Sequence, residues 1–192
     1  MNILIIEGTS KKDSFNKALA DSYEQTARAA GHEISRINLT EMQFDPILKG
    51  GFASSQELEP DLIKAQKDIS WCNHLVIFYP VWWGGAPALL KGFIDRTLLP
   101  GFAFKYQKNS QFWDKLLTGR SARIITTSDS PAWWLWLIYR NSDVSMLKHA
   151  TLQFCGIKPV AITRIGGVKM MTEEKRNEWI NKVKKLVPAI SS

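Results

Sequence analysis

Short apolar runs recur along the chain at intervals that leave room for a helix between them. Residues 3–6 and 75–79 are continuously apolar, which is typical of parallel strands covered on both faces. Residues 33–39 alternate between apolar and polar, which predicts a strand nearer the edge of the sheet. Residues 123–127 and 159–165 complete the set, and a proline is tolerated where the last of them begins. The pattern predicts a sheet of five parallel strands.

Amphipathic segments with helical spacing lie between these runs. They cover residues 15–30, 60–71, 88–98, 147–154 and 173–186. Gly31 supplies a stop for the first segment, and Pro87 fits the first position of the third, where its missing N–H needs no partner. Alternating strands and helices predict an α/β fold, with a doubly wound parallel sheet and helices on both faces. No linker or internal repeat interrupts the pattern, so we expect one domain over residues 1–192.

The loop after the first apolar run is rich in hydroxyl groups. Thr9, Ser10 and Ser14 lie between the predicted strand and the predicted helix. Hydroxyls and the free N–H groups at a helix start bind phosphate oxygens, so this loop is a candidate phosphate site. It is neither a Walker loop nor a G-x-G-x-x-G loop, because Gly8 stands alone and no Gly-Lys-Ser/Thr follows. Taken by itself, Ser14 is equally well explained as the N-cap of the helix.

The run at residues 75–79 leads into a turn with two indoles and two glycines. Trp82 and Trp83 offer flat apolar faces, and Gly84 and Gly85 let backbone N–H groups approach a planar ligand. Ligands of open parallel sheets bind at the carboxyl ends of the strands, where this turn lies. The hydroxyl-rich residues 126–130 end the next run at the same edge. The sequence therefore predicts a site for a large aromatic cofactor.

Composition narrows the class of protein. The chain has 192 residues, of which 45% are hydrophobic and 22% charged, as in ordinary globular proteins. No apolar run reaches the roughly 18 residues of a membrane span and no secretory signal is recognisable, so we expect a cytoplasmic protein without an integral membrane segment. Cys72 and Cys155 lie outside any metal-binding spacing. We therefore expect buried free thiols, no disulfide and no metal site.

The formal net charge of +7 bears on possible partners. The basic residues are scattered, and no predicted helix presents a continuous basic face with interleaved aromatic residues. We therefore expect no nucleic-acid partner. A positive potential that collects an anionic dinucleotide and an ordinary solvated surface remain as interpretations.

The tryptophan and glycine turn belongs to a longer motif. Residues 79–96 read Tyr-Pro-Val-Trp-Trp-Gly-Gly-Ala-Pro-Ala-Leu-Leu-Lys-Gly-Phe-Ile-Asp-Arg. They resemble the flavin-binding core of the flavodoxin-like NAD(P)H quinone oxidoreductases, with the pattern aromatic-Pro-x-x-Trp-x-Gly-x-Pro-Ala-x-Leu-Lys-Gly-x-x-acidic-Arg. Residues 14–16 are similar to the family's Ser-Phe-Asn at the flavin phosphate loop. Residues 126–129, Thr-Thr-Ser-Asp, stand where the family usually has Thr-Thr-Gly-Gly.

The resemblance implies a flavodoxin-like fold and a flavin-dependent enzyme. Members pass two electrons, as a hydride, from NADH or NADPH through bound flavin to a quinone or similar acceptor. FMN and FAD both occur in the family, and we favour FMN because no additional C-terminal segment is present to cover an adenosine half. The resemblance assigns the flavin to Thr9, Ser10, Ser14, Phe15, Asn16, Pro80, Val81, Trp82, Trp83, Gly84, Thr126, Thr127, Ser128 and Asp129.

Four further aromatic residues are candidates for lining the cleft that binds the electron acceptor. The resemblance implies a homodimer in which each substrate cleft is shared between the two subunits. Phe104 and Tyr106 of one subunit and Trp133 and Trp134 of the other are then expected to line that cleft.

Residues 131–140 hold three of the eight tryptophans of the chain. An exposed apolar stretch of this kind marks an interface or a ligand site, and burial in the core is the alternative. Relatives place a Tyr and a His here as proton relays, but this chain has Trp134 and Arg140 at about those places, so the relay is not carried over. Tyr139 is a candidate substitute, and Arg140 is a candidate for holding a nicotinamide nucleotide phosphate.

Two alternatives stay open from the sequence. The long irregular segment at residues 40–58 either covers the cofactor or packs as an ordinary loop. Some relatives are regulatory partners of potassium efflux antiporters, so the alternative function is a flavoprotein that regulates such an antiporter.

Overall fold

The computed structural model describes residues 1–11, 13–53 and 56–189. Its strands are β1 (Asn2–Glu7), β2 (Glu33–Asn38), β3 (His74–Pro80), β4 (Phe104–Tyr106), β5 (Trp113–Lys115), β6 (Ser121–Thr127) and β7 (Val160–Ile165). In the described part, five parallel strands form one sheet in the order β2-β1-β3-β6-β7, while β4 and β5 form a separate antiparallel pair. The predicted doubly wound sheet is confirmed, with β2 at its edge.

Helices connect the strands of the large sheet. They are α1 (Phe15–Ala29), α2 (Pro60–Trp71), α3 (Ala88–Thr97), α4 (Ala132–Leu137), α5 (Ser142–Ser145), a π helix (Met146–Gln153) and α6 (Glu173–Lys184). The prediction for Pro87 was wrong by one position, because Pro87 is the N-cap of α3. Its carbonyl accepts from the Lys91 N–H while its own ψ of 146° is still extended. Within the described ranges, no helix is long and apolar enough to cross a bilayer.

Two apolar layers cover the sheet. In β1, Ile3 and Ile5 pack in the layer of α1 and α6, whereas Leu4 and Ile6 pack in the layer of α2 and α3. All four side chains are buried. Successive residues of a strand point to opposite faces, so a strand covered on both sides has to be apolar at every position. The continuous apolar runs of the sequence follow from this arrangement.

A buried arginine fastens the irregular segment between β2 and α2. Arg96 of α3 is fully buried and donates to the carbonyls of Asp45 and Glu57 and to the Glu59 carboxylate at 2.8 Å. Pro46 lies against Gly92 of α3, where a Cβ would stand 2.5 Å from the Pro46 Cβ. These contacts favour the ordinary-packing interpretation for the parts of segment 40–58 that they touch, while Ser54 and Ser55 lie outside the described residues.

The two cysteines fit their expected role. Cys72 and Cys155 are free and buried, as the sequence predicts. Burial raises the pKa of both thiols to about 11, so they stay protonated at neutral pH.

His74 makes the stability of the fold depend on pH. Its ring is buried at the start of β3, with Nδ1 2.7 Å from the Ser121 hydroxyl. Burial, together with the charge of Arg123 and the nearby His32, lowers the pKa of His74 from 6.5 to about 4. The unfolded chain therefore binds a proton at higher pH than the folded one. The contribution of His74 to the unfolding free energy is fully present above pH 6.5. It decreases as the pH drops from 6.5 towards 4.

We expect His74→Gln to weaken this pH dependence. The loss of unfolding free energy between pH 7 and pH 4 should be smaller by about 3 kcal/mol than in the wild type, because the group that gains a proton on unfolding is gone. Urea denaturation at both pH values measures it. Asn181→Gln, at an exposed and non-titrating position of α6, is the control and should leave the pH dependence unchanged. An unaltered pH dependence in His74→Gln would exclude this role.

Candidate functional site

Three turns meet at one edge of the sheet. Tyr79 pairs with Thr126 and Pro80 with Thr127, so β3 and β6 end side by side. Beyond the ladder, the Val81 N–H donates to the Thr127 carbonyl at 2.7 Å, and the Gly8 N–H donates to the Phe78 carbonyl at 2.7 Å. The turns after β1, β3 and β6 are thus joined by backbone hydrogen bonds. This edge is where open α/β sheets bind ligands.

The hydroxyl groups of the first turn already have partners within the chain. Ser14 is the N-cap of α1, and its hydroxyl accepts from the Lys17 N–H at 3.2 Å. The buried Thr9 hydroxyl accepts from the Lys11 N–H at 3.2 Å, whereas Ser10 is exposed. The N-cap interpretation of Ser14 is therefore confirmed, and a role in phosphate binding stays a prediction beside it. The two are compatible, since an N-capped helix start still has free N–H groups.

Phe15 and Asn16 follow the N-cap residue, and their side chains make different contacts. The Phe15 ring lies under the Arg176 guanidinium of α6, 5.1 Å from the ring centroid, so it packs between helices. Asn16 is buried, and its Nδ2 donates to Thr127 Oγ1 at 2.6 Å. Its Oδ1 is buried and has no hydrogen-bond partner among the residues that the structure describes. Asn16 thus joins the first turn to the threonines of β6 and retains an unused acceptor.

The turn after β3 is a tight two-residue hairpin. Trp82 and Gly85 exchange two backbone hydrogen bonds of 2.9 and 3.0 Å. Both central residues are left-handed, with φ 51° at Trp83 and 70° at Gly84, as in a type I′ turn. Trp83 is completely exposed. Across the part of the chain described, the N–H groups of Trp83 and Gly84 donate to no acceptor, so the turn presents two consecutive free donors.

The turn after β6 is more occupied than a glycine turn would be. The Ser128 N–H donates to the Ile165 carbonyl at 2.9 Å, and its hydroxyl donates to the Ser130 carbonyl at 2.6 Å. Both donors of Ser128 therefore stabilise the turn itself. Thr126 and Thr127 are buried, and Asp129 is exposed. A ligand at this turn therefore has to hydrogen-bond groups other than the N–H and the hydroxyl of Ser128.

The tryptophan-rich segment forms an exposed helix. In α4, Trp133 and Trp136 are 60% and 63% exposed, while Leu135 is buried and anchors the helix. Trp133 and Trp134 meet edge to face, with ring centroids 5.6 Å apart. Burial of these tryptophans in the core is therefore excluded within one chain. The helix instead presents an apolar surface of the kind that marks an interface or a ligand site.

Residues after α4 contact the turn after β3. A Cβ on Gly84 would lie 2.9 Å from Cδ1 of Tyr139, so the ring lies directly on this glycine. The Ser142 hydroxyl donates to the Gly84 carbonyl at 2.8 Å. Arg140 and Asn141 are left-handed, with φ 47° and 63°. The sequence analysis found Tyr139 and Arg140 but missed Ser142, whose partner lies 58 residues away and leaves no local pattern.

An ion pair and a tyrosine hold this segment from below. Asp143 is buried and accepts from Arg164 of β7 at 2.7 Å, and Arg164 also donates to the Asn141 side chain at 2.9 Å. The Tyr79 hydroxyl donates to the Asp143 carbonyl at 2.6 Å. Burial raises the pKa of Tyr79 above its usual range. Tyr79 is therefore a structural donor and remains protonated.

The other end of the predicted cleft lies elsewhere in the chain. Phe104 and Tyr106 line an apolar groove of about 270 Å³ between α3 and the π helix, together with Met146 and Phe154. Phe104 and Phe154 meet edge to face at 5.0 Å. The residues that line this groove do not include Trp133 or Trp134. A single chain therefore separates the two predicted pairs, and a cleft that contains both would need two subunits.

A partly buried charge cluster borders the end of β1. Arg36 of β2 donates to the buried Glu7 carboxylate at 2.5 Å and to Asp21 and Glu24 at 2.6 and 2.9 Å. Burial alone would raise the pKa of the Glu24 carboxyl, but hydrogen bonds from Arg36 and Arg28 lower it below its usual value. The hydrogen bonds from the arginines keep the Glu24 carboxylate ionised and paired. The cluster supports the edge of the sheet beside the first turn.

The bond between Asn16 and Thr127 is open to a direct test. Asn16→Ala should lower the unfolding free energy by about 1–2 kcal/mol, because it leaves the buried Thr127 hydroxyl without its donor. Urea denaturation of Asn16→Ala, Thr127→Val and the double variant should give a coupling energy of about 1 kcal/mol. Asn181→Ala, at an exposed position of α6, is the matched control and should have little effect. Strictly additive effects of the two single changes would show that the side chains do not interact.

Comparison with known proteins places the chain in a family. The sequence model for proteins of flavodoxin-like fold matches residues 1–187. An uncharacterized NAD(P)H oxidoreductase of Haemophilus influenzae is 28% identical over 187 residues, which cover 93% of this chain and 90% of the relative. NAD(P)H dehydrogenase [quinone] 1 of Cavia porcellus is 28% identical over 180 residues, which cover 81% of this chain and 64% of that enzyme.

Solved structures agree with the sequence matches. The crystal structure of Smu.1420 from Streptococcus mutans UA159 superposes with a TM-score of 0.79 at 29% identity, and covers 97% of this chain and 98% of that chain. The resemblance read from the turn motifs is thereby confirmed, and the chain belongs to the flavodoxin-like fold family, with NAD(P)H quinone oxidoreductases among its relatives.

Proposed function

We propose that this protein is a flavin-dependent NAD(P)H oxidoreductase that passes two electrons to a quinone or a similar acceptor. The names of its relatives support the class of enzyme. The observation that supports flavin dependence is that three turns meet at one sheet edge. There, the backbone N–H groups of Trp83 and Gly84 have no acceptor among the described residues. Exposed backbone donors beside indole rings suit a planar anionic ligand.

The residues present at this edge fit a flavin. The start of α1 offers free N–H groups of the kind that bind phosphate, with Ser14, Thr9 and Ser10 beside it. Trp82 is 47% exposed and offers an apolar face for a ring. Gly84 has no Cβ, and Asn16 keeps an unpaired buried acceptor, Oδ1. An apolar face, backbone donors and a phosphate site are the three features that an isoalloxazine ring with a phosphate tail requires.

Each part of the edge has a task in this reaction. A bound flavin supplies the hydride chemistry between the nicotinamide and the acceptor. The chain's own part is to orient the ring through Pro80, Val81 and the Trp82–Gly84 turn, and to stabilise negative charge on it through the free N–H groups. Arg140 is exposed and forms no ion pair within the described residues, so it is available to an anionic nicotinamide nucleotide, NADH or NADPH.

The finer points of the proposal concern the cofactor and the compartment. We favour FMN over FAD. Two free buried thiols are in keeping with a cytoplasmic location, which stays part of the proposal. The acceptor cleft is assigned to Phe104 and Tyr106 of one subunit and to Trp133 and Trp134 of the other.

The proposed function is tested by extraction of the cofactor from purified protein. We expect yellow protein from which acid releases flavin, and mass spectrometry then distinguishes FMN from FAD. Colourless protein that takes up neither flavin would refute the assignment.

A matched pair of glycine variants locates the ring. Gly84→Ala should weaken flavin binding by roughly tenfold or more, because a left-handed Ala costs about 1–2 kcal/mol and its Cβ would meet Tyr139. Gly85→Ala introduces the same methyl group where nothing lies within 4 Å and φ is not positive. Fluorescence titration of the apoprotein measures both affinities. Wild-type affinity in Gly84→Ala would place the ring away from this turn.

The shared cleft predicts a dimer that depends on α4. Light scattering should report twice the chain mass for the wild type and about half that value for Trp136→Lys, because a charge in an apolar interface opposes association. Trp136 is 63% exposed in the single chain, so the change should not disturb its fold. Trp71→Lys, at another exposed tryptophan, should remain dimeric. A monomeric wild type, or a dimeric Trp136→Lys, would contradict the shared cleft.

A further inference from the structure

A serine outside the family motifs is bonded to the turn that is proposed to hold the flavin ring. The Ser142 hydroxyl donates to the Gly84 carbonyl at 2.8 Å. The same peptide unit is held at its other end, because the Gly85 N–H donates to the Trp82 carbonyl at 3.0 Å. The peptide plane between Gly84 and Gly85 is therefore fixed from both sides.

This fixed peptide helps to set the orientation of the two backbone donors that precede it in the turn. The N–H groups of Trp83 and Gly84 have no acceptor within the described chain. Both residues are left-handed, a conformation that Trp83 adopts only at a cost of about 1–2 kcal/mol. A strained turn that borders solvent would relax unless neighbouring groups held it. Ser142 and the ring of Tyr139 both contact Gly84.

Ser142 can act in this way because its own position is fixed. The next residue, Asp143, is buried and paired with Arg164 at 2.7 Å, and its carbonyl accepts from the Tyr79 hydroxyl at 2.6 Å. Arg164 also donates to the side chain of Asn141 on the other side of Ser142. Strands β3 and β7 therefore anchor the residues on both sides of the serine. The hydroxyl bonds the turn from a rigid support.

We propose that Ser142 is a positioning residue that holds the Trp83 and Gly84 N–H groups in the orientation that favours a negatively charged ring. The proposal rests on the function proposed above. Hydrogen bonds to a charged acceptor are stronger and more sensitive to orientation than those to a neutral one. Removal of the hydroxyl therefore weakens the binding of reduced flavin more than that of oxidised flavin.

The test compares Ser142→Ala with two controls. Apoprotein is titrated with oxidised FMN and, without oxygen, with reduced FMN. We expect about a threefold loss of affinity for oxidised FMN and about a thirtyfold loss for reduced FMN. For a two-electron couple, this tenfold difference lowers the midpoint potential by about 30 mV. Ser142→Thr keeps the hydroxyl and should restore wild-type values. Ser145→Ala removes a hydroxyl three residues away, for which the described structure has no hydrogen bond, and should change nothing.

A second readout needs no flavin. Amide hydrogen exchange of residues 82–85 in the apoprotein should become faster in Ser142→Ala and stay unchanged in Ser145→Ala, because the hydroxyl holds this turn before any ligand arrives. If the wild type binds flavin and Ser142→Ala loses equal affinity for the two redox states, or loses none, the role of Ser142 is refuted. The proposed function is unaffected by that result. A wild type that binds neither FMN nor FAD would refute the proposed function and, with it, this role.

Discussion

The pairing of β3 with β6 is the constraint on which the candidate site depends. The ladder places Pro80 opposite Thr127, and the Val81 N–H extends it by one more hydrogen bond to Thr127. A slip by one residue would turn every side chain of β6 to the opposite face and separate Thr127 from Asn16. Both faces of β6 are covered by apolar layers, so burial of Ile124 and Ile125 alone does not select the register. The hydrogen bonds that Thr127 makes with Val81 at 2.7 Å and with Asn16 at 2.6 Å favour the observed register, which assembles the candidate site.

Arginine side chains hold the connecting segments at the ends of this sheet. A segment without secondary structure has carbonyl groups that need donors. Arg96 supplies them to residues on either side of Ser54 and Ser55, and Arg164 fixes the connection around Asp143. Each guanidinium lies on a helix or strand of the sheet layer and donates to a connecting segment. The planar fork suits this task, since it satisfies several acceptors in one fixed arrangement.

The sequence predicted those parts of the molecule that depend on local periodicity. Helix α2 begins and ends where its apolar pattern does, and the continuous runs became the central strands. The dual use of Ser14 was visible as a choice between cap and phosphate ligand, and the structure shows the cap. What the sequence could not predict were bonds between distant positions, such as Ser142 with Gly84 and Asn16 with Thr127. Such pairs appear only when the strand order is known, because neither residue changes the pattern around it.

The exposed tryptophans contribute little to the stability of the isolated chain. Type I′ turns favour Asn-Gly, yet this one has Trp83 at the first central position, strained and completely exposed. The indole adds no packing to its own chain, so it contributes only when something else covers it. Through the contact between Tyr139 and Gly84, the same edge continues into Trp133 and Trp136 of α4. Donors without an acceptor in the described chain and uncovered indoles add little to the isolated fold, so this edge is suited to a ligand or partner.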